Sequence, residues 1–257
     1  MDNPLDFSGR TVLVTGGGKG VGRGISERFL AAGAQVLICG RSRPETLPRS
    51  AGREAVYTPC DVRDYAQIEA CVDFAMQRFG RLDVLVNNAG GAPRVDAATA
   101  SPRFSEAIIH LNLLAPLNVS QVANRVMQQQ EEGGCIINIA SVSTLRPSPG
   151  TAAYGAAKAG LVNLGTSLAV EWAPRVRVNA VTVGLTRTEQ AHLHYGDEAG
   201  VAAVASTIPL GRMALPGDVG DACLFLASPL ASYVSGTSFA VHGGGEKPAF
   251  LDAANAS

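Results

Sequence analysis

Tyr154-Gly155-Ala156-Ala157-Lys158 places a phenol and an ammonium four residues apart. On a helix that spacing sets both side chains on one face, within reach of a common point. The chain holds five tyrosines and three lysines (Lys19, Lys158 and Lys247), so random placement yields about 0.06 such pairs. Lys158 is also the one lysine between residues 20 and 246, although arginine is plentiful there. The position therefore selects an ammonium over a guanidinium. A phenol with its ordinary pKa of ~10 is a poor base at neutral pH, but a nearby ammonium favours the phenolate. Such a pair can exchange a proton with an alcohol or carbonyl oxygen while a hydride moves to or from a carrier. A lysine can also donate to ribose hydroxyls, which the rigid fork of arginine serves less well.

A carrier site is readable near the start of the chain. Thr15-Gly16-Gly17-Gly18-Lys19-Gly20-Val21-Gly22 follows a short apolar run and leads straight into helical periodicity. Glycines let backbone turn sharply and approach a pyrophosphate, whose charge the helix N-terminus favours. On this turn alone, flavin and S-adenosylmethionine stay as open as a nicotinamide dinucleotide. The second apolar run ends Cys39-Gly40-Arg41-Ser42-Arg43, with the first acid at Glu45. An NAD-selective site usually has a carboxylate there for the ribose 2′-hydroxyl. Arg41 would instead bind a 2′-phosphate bidentately, which favours NADP(H) over NAD(H). Its bland alternative is a solvated surface charge. Ser141 lies 13 residues before Tyr154 at the carboxyl end of another apolar run, the edge where open parallel sheets bind ligands. Ser143 is expected to face the same pocket.

The elements that must position these residues alternate along the chain. Thr11–Thr15, Gln35–Cys39, Ala55–Thr58, Asp83–Val86, Cys135–Ala140, Val176–Val181 and Ser238–Val241 read as strands. Their near-continuous hydrophobicity suits strands covered on both faces. Val21–Ala32, Tyr65–Phe79, Pro102–Gln130, Tyr154–Trp172 and Gly217–Leu226 carry helical periodicity, with Gly33 and Gly80 placed as helix-ending glycines. The expected fold is α/β: a single Rossmann-type domain over residues 1–257, with a doubly wound parallel sheet of about seven strands and helices on both faces. The irregular stretch Leu185–Gly211 breaks the rhythm and is expected to be a substrate lid.

At 257 residues, 46% hydrophobic and 17% charged, the chain suits one well-buried core. A net charge of -1 and 5% aromatics give no footprint for nucleic acid or an anionic membrane. The five cysteines form no Cys-x-x-Cys pair and read as buried apolar residues in a reducing compartment; no metal is expected. Met1–Arg10 reads as neither signal peptide nor anchor, and no run approaches ~20 apolar residues, so a cytoplasmic protein is expected.

The order Thr-Gly-x-x-x-Gly-x-Gly, Asp61-Val62, Asn87-Asn88-Ala89-Gly90, Ser141, Tyr154-x-x-x-Lys158, Ile208-Pro209-Leu210-Gly211-Arg212 and Tyr233-Val234-Ser235-Gly236 resembles the short-chain dehydrogenase/reductase family. The resemblance runs from Gly9 to Gly244. It implies Tyr154 as acid/base, Lys158 as its electrostatic and ribose partner, and Ser141 as anchor of the substrate oxygen. It also implies that Asn112, within His110-Leu111-Asn112, supports a water-linked proton relay. Taken alone, a mid-helix Asn reads as a local helix irregularity. The implied cofactor set is Thr15, Gly16, Gly18, Lys19, Gly20, Val21, Gly22, Arg41, Ser42, Asp61, Val62, Asn88, Ala89, Gly90, Tyr154, Lys158, Val183, Gly184 and Thr188. Two departures stand out: Val183-Gly184 replaces the family's Pro-Gly, and His242 replaces its commoner Asp. The family's ketoreductases act on carbonyls or secondary alcohols, so a 3-oxoacyl thioester or a steroid-like ketone is expected, in a homotetramer or homodimer packed through the two long helices.

Other readings are weaker. His192-Leu193-His194 has the wrong spacing for two ligands on one helical face and suits lid residues. A non-catalytic NADP-sensing scaffold would not require Ser141, Tyr154 and Lys158 together. A nucleotide-sugar epimerase would need a larger carboxy-terminal domain than residues 185–257 can form.

Overall fold

The computed structural model describes residues 3–253, the side chains of His194, Leu251 and Asp252 excepted. Residues 1–2 and 254–257 of the expected domain lie outside the described residues. Continuous burial marks the central strands. β1 (Thr11–Thr15) is buried at every position, as are the Val84–Asn87 strand and all but the end residues of Gly134–Ser141. Strands without a solvent face belong in a parallel sheet with helices on both sides. With β2 (Gln35–Gly40), β3 (Val56–Pro59), β4 (Val84–Asn87), β5 (Gly134–Ser141), β6 (Val176–Val183) and β7 (Ser238–Val241), the order is β3-β2-β1-β4-β5-β6-β7. Every pairing in this sheet is parallel. The chain winds outward from β1 to β3, then returns to the other side of β1, leaving a switch-point crevice between β1 and β4.

Two cores close the layers into a single domain. On one face, Ile25, Phe29 and Leu30 of α1 (Gly20–Ala31) pack with Val12, Val14 and Ile137 and with Val219 and Cys223 of a later helix. On the other face, α2 (Tyr65–Phe79) supplies Ile68 and Val72 against Leu13, Leu37 and Ile136. The ends of α2 follow local rules: Asp64 accepts from Gln67 N at 3.2 Å, and Gly80 takes φ +78°. Gly33, φ +96°, likewise follows the end of α1.

Three details depart from expectation. The helix expected across Pro102–Gln130 is three pieces: α3 (Pro102–Ile109), a π turn at His110–Leu114, and α4 (Ala115–Met127). Within the π turn, the Asn112 side chain donates to Ile108 O at 3.0 Å and breaks the regular ladder. After α5 (Ala152–Glu171), the stretch 185–211 is not irregular but holds α6 (His192–Tyr195) and α7 (Glu198–Ser206). Asp197 caps α7 by accepting from Gly200 N at 3.0 Å, a cap whose residue type is present in the sequence. Residues Arg49–Ser50 and Arg53–Glu54 add a short antiparallel ladder after β2. α8 (Pro216–Ala227) then completes the first face. No described helix is long and apolar enough to cross a membrane.

Candidate active site

A cleft of about 760 Å³ runs along the carboxyl ends of the strands. The sheet order lays its lining out in sequence: Asp61 after β3 and Arg41 after β2 at one end, the glycine turn after β1 in the middle, and Ser141 and Val183 at the other. In the turn, Gly16 and Gly20 take φ +64° and +49°, and a Cβ at Gly22 would collide with the Gly16 carbonyl. Only glycine permits this approach. Lys19 opens α1 with no side-chain cap and no acid in the first turn, so its first amides are left for another acceptor. Gly20 N donates to the Glu189 carboxylate at 2.9 Å, an anion standing where a phosphate oxygen would be held. The cradle therefore fits a dinucleotide pyrophosphate.

Beyond the cradle, Asn88 Nδ2 donates to Thr15 O at 2.9 Å, tying the end of β4 to that of β1. Thr15 Oγ1 accepts from Asn88 N and Ala89 N, both at 3.0 Å. Thr15 thus braces the cleft from behind without lining it. Gly18 faces the Pro44 ring, and exposed Ser42 also lies off the lining. The other expected cofactor residues, Gly16, Lys19, Gly20, Val21, Gly22, Arg41, Asp61, Val62, Asn88, Ala89, Gly90, Tyr154, Lys158, Val183, Gly184 and Thr188, line the cleft. Thr188 stands over Gly20, whose Cβ would lie 3.5 Å from the threonine methyl. Gly184 is required because a Cβ there would be 2.7 Å from His242 Cα.

The proton-handling residues share one wall. Lys158, 3% exposed, donates from Nζ to Ile139 O at 2.8 Å and lies 5.7 Å from the centre of the Tyr154 ring. Burial lowers the Lys158 pKa to about 8. Burial also pushes the Tyr154 hydroxyl above its ordinary value, opposed by hydrogen bonding with Ser141. Lys158 Nζ is held by a backbone carbonyl, and hydrogen bonding with Ser141 supplies the pull that opposes burial at the phenol. Ser143 does not line the cleft but accepts from Ser141 Oγ at 3.3 Å and from Ser148 Oγ at 3.1 Å. Fully buried Asn112 clamps Gly91, accepting from its N at 2.9 Å and donating to its O at 3.0 Å. A Cβ on Gly90 would lie 2.6 Å from Asn112 Oδ1 and 3.3 Å from Lys158 Nζ, so both reach one point behind the cleft wall.

Sequence reasoning missed two groups. Arg63 lines the cleft and grips Asp61 with Nε–Oδ1 and Nη2–Oδ2 distances of 2.9 and 2.6 Å. That contact holds the Asp61 carboxyl down at about 2. Its adjacency to Asp61-Val62 was a usable signal. Glu189 had none, since 169 residues separate it from Gly20. His242 lines a second hollow of about 160 Å³ with Val142, Leu145, Leu185, Ile208 and the Arg146–Glu246 ion pair. His192 is exposed, with Nδ1 3.1 Å from Glu189 O.

Comparison with known proteins agrees with this geometry. The family described as Enoyl-(Acyl carrier protein) reductase matches residues 16–246. A 3alpha-hydroxysteroid dehydrogenase of Mediterraneibacter gnavus is 35% identical, over 91% of this chain and 96% of its own length. A 2-dehydro-3-deoxy-D-gluconate 5-dehydrogenase of Escherichia coli is 34% identical, over 93% and 96%. The solved aldohexose dehydrogenase of Thermoplasma acidophilum superposes with a TM-score of 0.86 at 29% identity, over 98% of this chain and 97% of that one. The chain belongs to the short-chain dehydrogenase/reductase family, nicotinamide-dependent oxidoreductases acting on CH–OH groups of small molecules.

Proposed function

We propose that this chain moves a hydride between NADP(H) and a carbonyl or secondary alcohol, with Tyr154 handling the proton. The observation that carries the reading is the shared cleft wall of Ser141, Tyr154 and buried Lys158, opposite the glycine cradle. Nicotinamide, when bound, supplies or accepts the hydride. Ser141 holds the substrate oxygen by hydrogen bond. Tyr154 gives its proton to that oxygen in reduction and recovers it in oxidation. A phenol that burial keeps protonated is ready as the acid of the reducing direction. Lys158 donates to ribose hydroxyls, and Asn112 holds the backbone of Gly91, next to the Gly90 that flanks Lys158. For the phosphate choice, Arg41 and Lys19 line the cleft, and β2 lacks a terminal carboxylate.

The second hollow beside the catalytic wall is mostly apolar, with one ion pair at its edge. Together with the hydroxysteroid relative, this supports an alicyclic ketone or its alcohol; a 3-oxoacyl thioester also suits the apolar lining. The segment 185–211 is proposed as the substrate lid, and a homotetramer or homodimer through α3–α4 and α5 as the assembly, checked by native mass. The reading is tested by calorimetry with NADPH and NADH and by turnover of steroid, sugar-acid and 3-oxoacyl substrates. NADPH should bind more tightly, and Arg41→Asp should reverse that preference by about tenfold, since a carboxylate repels the 2′-phosphate. Tighter NADH binding by the wild type would overturn the assignment.

A further inference from the structure

Cys39, Cys60 and Cys71 come from three separate places: the end of β2, the residue after β3, and the first half of α2. Tertiary structure gathers them so that their Sγ atoms all lie within 4.8 Å of one another, each residue 3% exposed. The backbone beneath is stiff. β2 and β3 pair in register, Cys60 N donates to Gly40 O at 3.0 Å, and Asp64 caps α2.

A thiolate–metal bond of about 2.3 Å places sulfurs roughly 4 Å apart around a common ion. The observed cluster is within about 1 Å of that arrangement before any ligand is added. Among the described residues, no histidine or carboxylate joins the group, and all three cysteines belong to the buried apolar cluster that includes Leu13, Leu37, Val62, Ile68 and Val72. Sulfur-only donors in a dry setting select soft ions over hard, oxygen-seeking ones. Cys135 and Cys223, also buried, offer only a pair.

We propose that Cys39, Cys60 and Cys71 form a three-sulfur site for a soft, thiophilic, three-coordinate ion. Loading forms three sulfur–ion bonds and involves no electron transfer. With trivalent arsenic, three thiols condense with one arsenous acid and release three waters, leaving a neutral complex that a dry core accommodates. With monovalent copper, thiol protons leave as the bonds form. Because Cys39 and Cys60 line the cofactor cleft, the ion enters through it, and an adenosine seated there shields the site. This last point rests on the dinucleotide reading above.

The test loads the full-length protein separately with arsenite and with monovalent copper held by a weak chelator, then desalts it. One equivalent of either per chain is expected, lost in Cys60→Ala and Cys71→Ala and kept in Cys135→Ala. No retention, or retention that survives Cys60→Ala, overturns the site. Where a variant fails to fold, X-ray absorption on the loaded wild type decides. Three sulfurs at about 2.3 Å support the site, and nitrogen or oxygen ligands overturn it. Prior saturation with NADPH, followed by its own fluorescence, should slow loading at least tenfold. An unchanged rate with NADPH demonstrably bound overturns the route through the cleft.

Discussion

The parallel sheet and the segment 185–211 meet at one cleft but are held in unlike ways. β1, β4 and β5 are buried along their length between two helical layers. The segment contributes Val201 and Ile208 to a small cluster with Met213, while Leu193 and Leu210 stay exposed. Much of its attachment is backbone: Leu210 N to Gly243 O at 3.1 Å, Lys247 N to Thr207 O at 3.2 Å, and Ala214 N to Leu185 O at 3.0 Å. Regions with few buried apolar contacts open at lower free energy than the global unfolding. The difference teaches a division of labour. On the function proposed above, proton chemistry would stand on the stiff part, and the segment proposed as a lid is the looser part.

The sharpest way to break that division is Tyr154→Phe. Removing one oxygen from the stiff wall should lower kcat by about 10²–10⁴-fold while dinucleotide binding and Tm persist. A fully active variant would show that the wall carries no proton chemistry. Core truncation comes next. Ile136→Ala, in the sheet, should cost about 2–5 kcal/mol in urea unfolding. Val201→Ala, in the segment, should cost about 1 kcal/mol or less. Equal losses would mean the two regions share one level of cohesion.

A third test concerns the charge that the sheet buries. The folded Lys158 pKa of about 8 lies below the ordinary 10.5. Between those values the unfolded chain binds more protons, so stability should rise with pH from 8 to 10.5. Below pH 8 the full cost of the buried ammonium is present. Relative to Lys158→Met, which lacks the titrating group, the wild type should gain up to roughly 3 kcal/mol across that window. Denaturant titrations at several pH values check this, and parallel profiles would refute a buried, titrating ammonium. The smallest effect is expected where the two regions touch. Glu189 takes an amide that a phosphate would use, so Glu189→Gln should tighten dinucleotide binding by roughly two- to tenfold. Weaker binding by calorimetry would mean that Glu189 assists the cofactor instead of competing with it.

How much of this was legible depended on how local each cause is. The seven strands, the helix-ending glycines Gly33 and Gly80, the glycine turn and the Tyr154–Lys158 spacing are all readable, because burial on both faces, positive φ and helical periodicity are written in adjacent residues. α7 is legible in principle through Asp197, but its short stretch carries too little amphipathic periodicity to announce a helix.

What tertiary structure decided was which distant residues meet. A mid-helix Asn112 reads as a local helix irregularity, but no periodicity announces that it would clamp Gly91, 21 residues away. Packing aims Lys158 at Ile139 O and brings Ser141 to the Tyr154 hydroxyl. Glu189 reaches Gly20 only because the sheet brings the segment after β6 back over β1. The cysteines at 39, 60 and 71 look scattered until β2 and β3 pair and α2 packs across them. Sequence determined the elements and the chemistry each could hold, because propensity and side-chain type act locally. Sheet order and packing decided the partners, because those contacts exist only once the chain has closed on itself.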